Sequence, residues 1–155
     1  MSNFGKMDFE SKILFNSPRY FTGKKETQVN CDFIYDLIND PTLDFLNQDI
    51  CDNKKNIYVP KNFNNWKKIV SKYEFIIGTR IHGAIMALIC NIPTILLVID
   101  SRTYELAEIF KIPYINLIDK NISLKDKSDV VKLINNFKID YNNYNKCLEE
   151  YKKNI

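Results

Sequence analysis

The stretch EFIIGTRIHGAIMALICNIPTILLVI, residues 74–99, decides the fold. Its first five residues form a short apolar run that predicts a buried strand over Glu74–Gly78. Apolar residues then recur at helical spacing through Arg80–Cys90, and Asn91 follows at the helix end. Thr94–Ile99 is a second, uninterrupted apolar run, typical of a strand that is covered on both faces in a parallel sheet. Strand, helix and strand in this order predict one unit of a parallel α/β sheet.

The same alternation continues outward on both sides. Downstream, the pattern predicts a helix with Ser101 as its N-cap, a third strand, a helix capped by Ser123, and a Tyr-rich terminal helix, at Ser101–Phe110, Pro113–Leu117, Leu124–Phe137 and Asp140–Lys153. Upstream, it predicts strands and helices in alternation, with strands at Lys12–Phe15 and Ile57–Val59 and helices at Val29–Asn39 and Asn62–Lys72. Thr42–Lys55 is ambiguous, and the spacing of Leu43, Leu46 and Ile50 is compatible with a short helix there.

Length and composition indicate one globular unit. The chain has 155 residues, of which 45% are apolar and 26% charged, which is ordinary for a globular protein. We interpret 1–155 as a single α/β domain, with a less regular part at 1–56, a core at 57–139 and a terminal helix at 140–155. The net charge of +3, from 22 basic and 19 acidic side chains, weakly favours an anionic small ligand and argues against a nucleic-acid binder.

Several classes of site and location are disfavoured by what the sequence lacks. The cysteines, at 31, 51, 90 and 147, have no close zinc-site spacing, and the chain contains one histidine. The first residues, MSNFGKMDFESK, lack the apolar stretch of a secretory signal. No run approaches the ~20 apolar residues of a membrane span. We therefore expect a cytoplasmic protein with free thiols, no metal and no membrane span.

The first cluster of chemically capable residues is Gly78-Thr79-Arg80-Ile81-His82-Gly83. It follows a buried strand and opens a helix, where ligands bind in open α/β sheets. A helix N-terminus offers unpaired amides and a partial positive charge, and Arg80 adds a forked cation suited to phosphate or carboxylate. His82 titrates near neutral pH when unperturbed. We expect Gly78 to let the chain turn and Gly83 to let a ligand or backbone approach closely, so the cluster predicts an anion site with a proton-transfer group.

The cluster also permits a simpler interpretation. A lone histidine beside an apolar helix is often a hydrogen-bonded structural residue, and the residues alone leave both roles for His82 open. Neither the dinucleotide motif G-x-G-x-x-G nor the phosphate-binding loop G-x-x-x-x-G-K is present.

A second cluster follows the next predicted strand. Asp100, Ser101 and Arg102 stand where that strand ends, so we expect them beside the first cluster at the same sheet edge. Asp100 is a candidate to orient a hydroxyl or pair with Arg102, and Arg102 a candidate to bind a second anionic group. The alternative is an N-cap turn with a surface ion pair.

The sequence of residues 73–114 resembles the polysaccharide pyruvyl transferase family. The elements that carry the resemblance are IGTRIHG at 77–83, NIPT at 91–94 and D-S-R-T-x-E-L at 100–106. The resemblance implies a two-lobed, glycosyltransferase-B-like fold, of which this chain is similar to the Rossmann-like C-terminal lobe, a parallel sheet with flanking helices. It implies phosphoenolpyruvate as donor substrate and a saccharide as acceptor, with no cofactor.

The same resemblance implies roles for individual residues. The family's R-x-H element, tied to donor binding and catalysis, falls on Arg80 and His82, and a further family motif falls on Asp100 and Arg102. Family members usually carry a full N-terminal lobe, whereas here only an irregular first third precedes the motif. The alternatives are a fragment, half of a split gene, a naturally shortened protein and a decayed one. A partner chain with that lobe and a homo-oligomer are both candidates to complete the site.

Two other functions remain open. The chain has features of a nucleotide-sugar-binding C-terminal lobe of a glycosyltransferase, since such lobes also place arginines and helix N-termini against phosphates. A non-catalytic binding or assembly module that retains the anion pocket is the third possibility. Competition between phosphoenolpyruvate and a nucleotide sugar separates the first two, and binding without turnover supports the third.

Overall fold

A parallel sheet organises the residues that the computed structural model describes, which are 12–16, 42–46, 57–117, 124–136 and 141–154. Six strands belong to it: β1 (Ile13–Asn16), β2 (Asp44–Leu46), β3 (Ile57–Tyr58), β4 (Phe75–Gly78), β5 (Thr94–Val98) and β6 (Tyr114–Asn116). Five helices are described with them: α1 (Phe63–Val70), α2 (Ile81–Ile89), α3 (Ser101–Phe110), α4 (Lys127–Asn136) and α5 (Tyr141–Lys153). The predicted α/β class, with a parallel sheet and flanking helices, is confirmed.

The order of the strands sets the position of the site. Across the sheet the order is β3-β2-β1-β4-β5-β6, and every neighbouring pair is parallel. The chain therefore builds one half of the sheet outward from β1 and the other half outward from β4. This is the strand order of doubly wound, Rossmann-like sheets, in which the crevice for ligands lies at the carboxyl ends of the two strands where the order reverses.

Both faces of the sheet are buried, as the continuous apolar runs predict. On one face, alternate strand residues such as Phe15, Ile77 and Leu97 pack with the apolar side of α4. On the other face, the intervening residues pack with apolar side chains of the remaining helices. Burying one such Leu, Ile or Phe side chain contributes roughly 1.5–3 kcal/mol, so the two layers hold the strand ends in fixed positions.

The sequence of Thr42–Lys55 is ambiguous and compatible with a short helix, but the part that the structure describes, residues 42–46, contains a strand. Asp44–Leu46 forms β2, which pairs with β1 and β3. Phe45 is buried, and its ring centroid lies 5.4 Å from that of Phe15 on the neighbouring strand. Pairing with two strands that are distant in sequence outweighs the local helical spacing.

Most other predicted elements are found with boundaries shifted by a few residues. Two predicted features, the helix at Val29–Asn39 and the cap at Ser123, lie outside the described residues. None of the described helices is long and apolar enough to cross a membrane.

Candidate functional site

The candidate site lies where β1 and β4 end side by side. Asn16, the last residue of β1, is the register partner of Gly78, the last residue of β4. The amide N–H of Thr79 donates to the carbonyl oxygen of Asn16 at 3.1 Å, which extends the pairing one residue past the strand. The chain then enters α2 at Ile81. Gly78–Gly83 thus crosses the carboxyl edge of the sheet at the point where the strand order reverses.

Both glycines are required by close packing against Asn16. A Cβ on Gly78 would lie 2.8 Å from the carbonyl carbon of Asn16 and closer still to its oxygen. A Cβ on Gly83 would overlap the carboxamide of Asn16. The group that packs against Gly83 is therefore a side chain of β1, whereas the sequence predicted an approach by a ligand or by backbone. Gly78 serves the pairing of β4 with β1; its backbone has no left-handed conformation.

Among the described residues, no side chain caps the N-terminus of α2. Its N-cap residue, Arg80, has extended backbone and no side-chain cap, and the first turn contains no acidic residue. The first-turn amides lack acceptors within the helix and carry the positive end of its dipole. Such a terminus binds phosphate or carboxylate groups.

The side chains of the first cluster differ in exposure. Arg80 is half-buried and His82 is exposed, so each is accessible to a ligand that enters the crevice. Thr79 is 4% exposed, and its hydroxyl has no hydrogen-bond partner in the described part of the chain. The predicted cluster, Gly78–Gly83, thus comprises the last residue of β4, the two-residue connection and the first turn of α2.

The second cluster follows β5, on the strand next to β4, as predicted. Asp100 is the N-cap of α3, and its carboxylate accepts from the amide N–H of Thr103 at 2.7 Å and from the Thr103 hydroxyl. The prediction that Ser101 is the N-cap is wrong, because the carboxylate of the preceding residue satisfies the first-turn amide and complements the helix dipole. Ser101 and Arg102 are exposed on the first turn.

The two neighbouring helix N-termini therefore differ in charge. The end of α3 already holds the carboxylate of Asp100, whereas the end of α2 has Arg80 and no acidic group. A bound anion is repelled by Asp100 and attracted by Arg80. Of these two helix N-termini, that of α2 therefore has the more favourable electrostatics for an anion.

Asn16 is a residue of this site that sequence reasoning did not identify. Its side chain is 1% exposed, and neither Nδ2 nor Oδ1 has a hydrogen-bond partner among the described residues. Leaving a buried polar group unsatisfied costs about 1–3 kcal/mol. The available signal was a polar residue directly after the apolar run Ile13–Phe15, but its proximity to Gly83 depends on the strand order.

The groups with shifted pKa values lie near the opposite, amino-terminal edge of the sheet. Burial, and then a 2.5 Å hydrogen bond to Asp44, raises the pKa of Tyr73, which precedes β4. Tyr114, at the start of β6, has its pKa raised by a hydrogen bond to Glu108. Burial raises the pKa of Cys147 to about 11. These groups join elements of the fold and lie away from the crevice.

No set of three His, Cys, Asp or Glu side chains within the described ranges is arranged to hold a metal ion. The polar groups at the crevice are a guanidinium, an imidazole, hydroxyls, a carboxamide and backbone amides. This set is suited to binding oxyanions through hydrogen bonds and to moving a proton.

Comparison with known proteins gives both a sequence match and structural neighbours. A family model described as "Polysaccharide pyruvyl transferase" matches residues 9–101, more than half of the chain. Among solved structures, the glycotransferase of kitacinnamycin is similar at 11% identity and a TM-score of 0.48, over 96% of this chain and 41% of that one. The glycosyltransferase SnogD from Streptomyces nogalater is similar at 9% identity and a TM-score of 0.43, over 99% of this chain and 41% of that one. No curated protein matches the sequence. This chain spans about two fifths of the length of each of these two structural neighbours, 41% in both cases.

Proposed function

Because the chain belongs to the polysaccharide pyruvyl transferase family, we propose that it forms the donor-binding part of a pyruvyl transferase. The donor is phosphoenolpyruvate, the acceptor is a saccharide, and the product is a cyclic pyruvate ketal. The observation that carries the proposal is the uncapped N-terminus of α2, with Arg80 beside it, at the reversal of strand order.

The charges of the donor fit this edge of the sheet. Phosphoenolpyruvate carries a phosphate and a carboxylate, so its site needs two groups of cationic or N–H donors. The first-turn amides of α2 and the guanidinium of Arg80 supply one group. The exposed Arg102, on the first turn of α3, is our candidate for the second. Thr79 and Ser101 add hydroxyls, and Gly78 and Gly83 keep the backbone close to the crevice.

The proposed reaction balances without a redox partner. The methylene carbon of the donor takes a proton and becomes the methyl group of the ketal. Two hydroxyls of the acceptor add to the central carbon, each losing its proton, and the bond from that carbon to the phosphate oxygen breaks. One released proton balances the proton taken by the methylene carbon, and the other leaves with phosphate or solvent.

In this scheme His82 transfers the proton, and Arg80 with the α2 amides stabilises the charge that collects on the leaving phosphate. His82 is exposed on the first turn of the helix that holds the anion, and one residue, Ile81, separates it from Arg80 in the sequence. General acid catalysis of this kind contributes about 10²–10⁴-fold.

The acceptor side of the site requires more than the described residues. We propose that the saccharide is held with the help of a second lobe, supplied by a partner chain or by another copy of this chain, in the cytoplasm. The proposal follows from the two-lobed fold that the family resemblance implies and from the placement of the donor groups along one edge of the sheet.

Calorimetric titration with phosphoenolpyruvate tests the donor site. We expect saturable binding by the wild-type chain, loss of binding in Arg80→Ala, and partial retention in Arg80→Lys, which keeps the charge but not the forked donor. Lys132→Ala is the matched control, because it removes an exposed cation from α4. A folded wild-type chain that binds a nucleotide sugar but not phosphoenolpyruvate refutes the proposed donor.

A separate assay tests the role of His82. Phosphate release is followed with a saccharide acceptor, in the assembly that turns over, for wild type and His82→Ala. We expect a loss of at least about 100-fold in kcat with unchanged thermal stability, since the side chain is exposed. Full turnover by a folded His82→Ala protein removes this residue from the mechanism.

A further inference from the structure

The carboxamide of Asn16 is an unused polar group in a closely packed place. It ends β1, which lies inside the sheet between β2 and β4, and it is 1% exposed. An amide side chain has two N–H donors and an oxygen acceptor, and none of them has a partner among the described residues. Buried polar groups are nearly always hydrogen-bonded, so an unpaired one calls for an explanation.

The position of this carboxamide relates it to the α2 N-terminus. It packs against Gly83, in the first turn, where a Cβ would overlap Nδ2. The hydroxyl of Thr79, also buried and unpartnered, lies on the same connection, and the Thr79 amide is bonded to the Asn16 carbonyl. Two buried side chains with unsatisfied polar atoms thus adjoin the open end of one helix.

We propose that Asn16 is a ligand-binding residue whose carboxamide N–H donates to an oxygen of the oxyanion seated at the N-terminus of α2. The carboxamide supplies a neutral donor from β1, in addition to the charged donor of Arg80. The absence of a side chain at Gly83 leaves room for this group. The β1 strand therefore contributes to binding as well as to the sheet.

The inference rests on the proposed function for one of its probes, phosphoenolpyruvate. The chemistry it requires is an oxyanion, which inorganic phosphate, phosphoenolpyruvate and the diphosphate of a nucleotide sugar all possess. Titration with phosphate, phosphoenolpyruvate and UDP-glucose therefore separates the role of Asn16 from the identity of the donor.

The decisive variant is Asn16→Leu, which keeps the branched shape and removes the donors. Binding by the full chain is measured by calorimetry, and stability by thermal unfolding without ligand. We expect about 10- to 100-fold weaker binding of the oxyanion, the effect of losing one hydrogen bond to a charged group. We also expect an unfolding midpoint equal to or above that of wild type, because an unsatisfied polar group is replaced by an apolar one. Asn16→Asp, which adds a negative charge at the same size, should bind more weakly still.

Two further variants complete the test. Asn116→Leu changes an asparagine at the end of edge strand β6 and should leave binding unchanged. Asn16→Ser, which is smaller, replaces the leucine variant if that protein does not fold, and it should show the same loss of affinity.

The possible outcomes separate the two proposals. Unchanged affinity for phosphoenolpyruvate in a folded Asn16 variant overturns the inference and leaves the donor assignment standing. A wild-type chain that binds UDP-glucose and not phosphoenolpyruvate overturns the donor assignment, and Asn16 is then judged on the loss of UDP-glucose binding. A marked fall in the midpoint for both variants shows a structural role and overturns the inference. Failure of the wild type to bind any of the three probes overturns both proposals.

Discussion

Gly83→Ala should destabilise this protein, although alanine usually stabilises a helix. Gly83 is a buried residue in the first turn of α2, and its replacement gains up to roughly 1 kcal/mol of helix propensity. The added methyl group overlaps the Asn16 carboxamide and approaches Cβ of Asn16 to 3.0 Å, so rotating the amide does not fully clear it. Overpacking of this kind costs about 1–3 kcal/mol. The net loss should be up to about 2 kcal/mol, which is up to roughly 8 °C in the unfolding midpoint for a chain of this length.

A double-mutant cycle isolates the cause. Free energies of unfolding are measured by chemical denaturation for wild type, Gly83→Ala, Asn16→Ala and the double variant. We expect the double variant to recover most of the stability lost in Gly83→Ala, with a coupling energy of about 1–2 kcal/mol between the two positions. If Gly83→Ala is more stable than wild type, or if the two changes are additive, the close packing of β1 against α2 is not what requires glycine.

Three further perturbations test other parts of the fold. Asp100→Ala removes the cap on Thr103 and should lower the unfolding free energy by about 1 kcal/mol, seen as a fall of roughly 2–4 °C in the midpoint; an unchanged midpoint contradicts the cap. Lys111→Gly should raise the unfolding free energy, measured with denaturant, by about 0.5–1 kcal/mol, because Lys111 has a φ of 56°. Asn91→Gly, at a φ of 61°, should raise it less, since asparagine tolerates this conformation. Equal gains for the two variants would contradict that reasoning. The Cys147 thiol has a pKa of about 11 in the folded chain and an ordinary value of 9.0, so it ionises more readily in the unfolded chain. The unfolding free energy of wild type should therefore fall relative to that of Cys147→Ala between about pH 9 and 11. A difference between the two that stays constant with pH refutes this.

The sequence predicts the elements whose local pattern and final environment agree. Phe75–Gly78 and Thr94–Val98 are continuous apolar runs, and both become strands covered on two faces. Because they are consecutive and parallel, the residues that follow them must meet at one sheet edge. For this reason the two clusters at Gly78–Gly83 and Asp100–Arg102 were predictable as neighbours, although their binding roles stay predictions.

The unpredicted features depend on contacts between distant parts of the chain. Asp44–Leu46 becomes a strand because β1 and β3 lie on either side of it, and no local spacing encodes those partners. The choice of Asp100 over Ser101 as N-cap depends on where α3 begins, which a pattern fixes only to within a residue or two. Asn16 could be connected with Gly83 only once β1 was known to pair with β4.

The interior position of β1 has a consequence for shortened versions of the chain. Strands β2 and β3 are connected to β4 through β1 alone within the described sheet. A truncation that removes residues 13–16 would keep every residue of the conspicuous 78–83 motif, yet it would expose a row of unpaired N–H and C=O groups along the apolar strand β4. Exposed edges of this kind pair with other molecules and aggregate. A soluble minimal fragment that carries the motif must therefore retain the short strand some sixty positions before it.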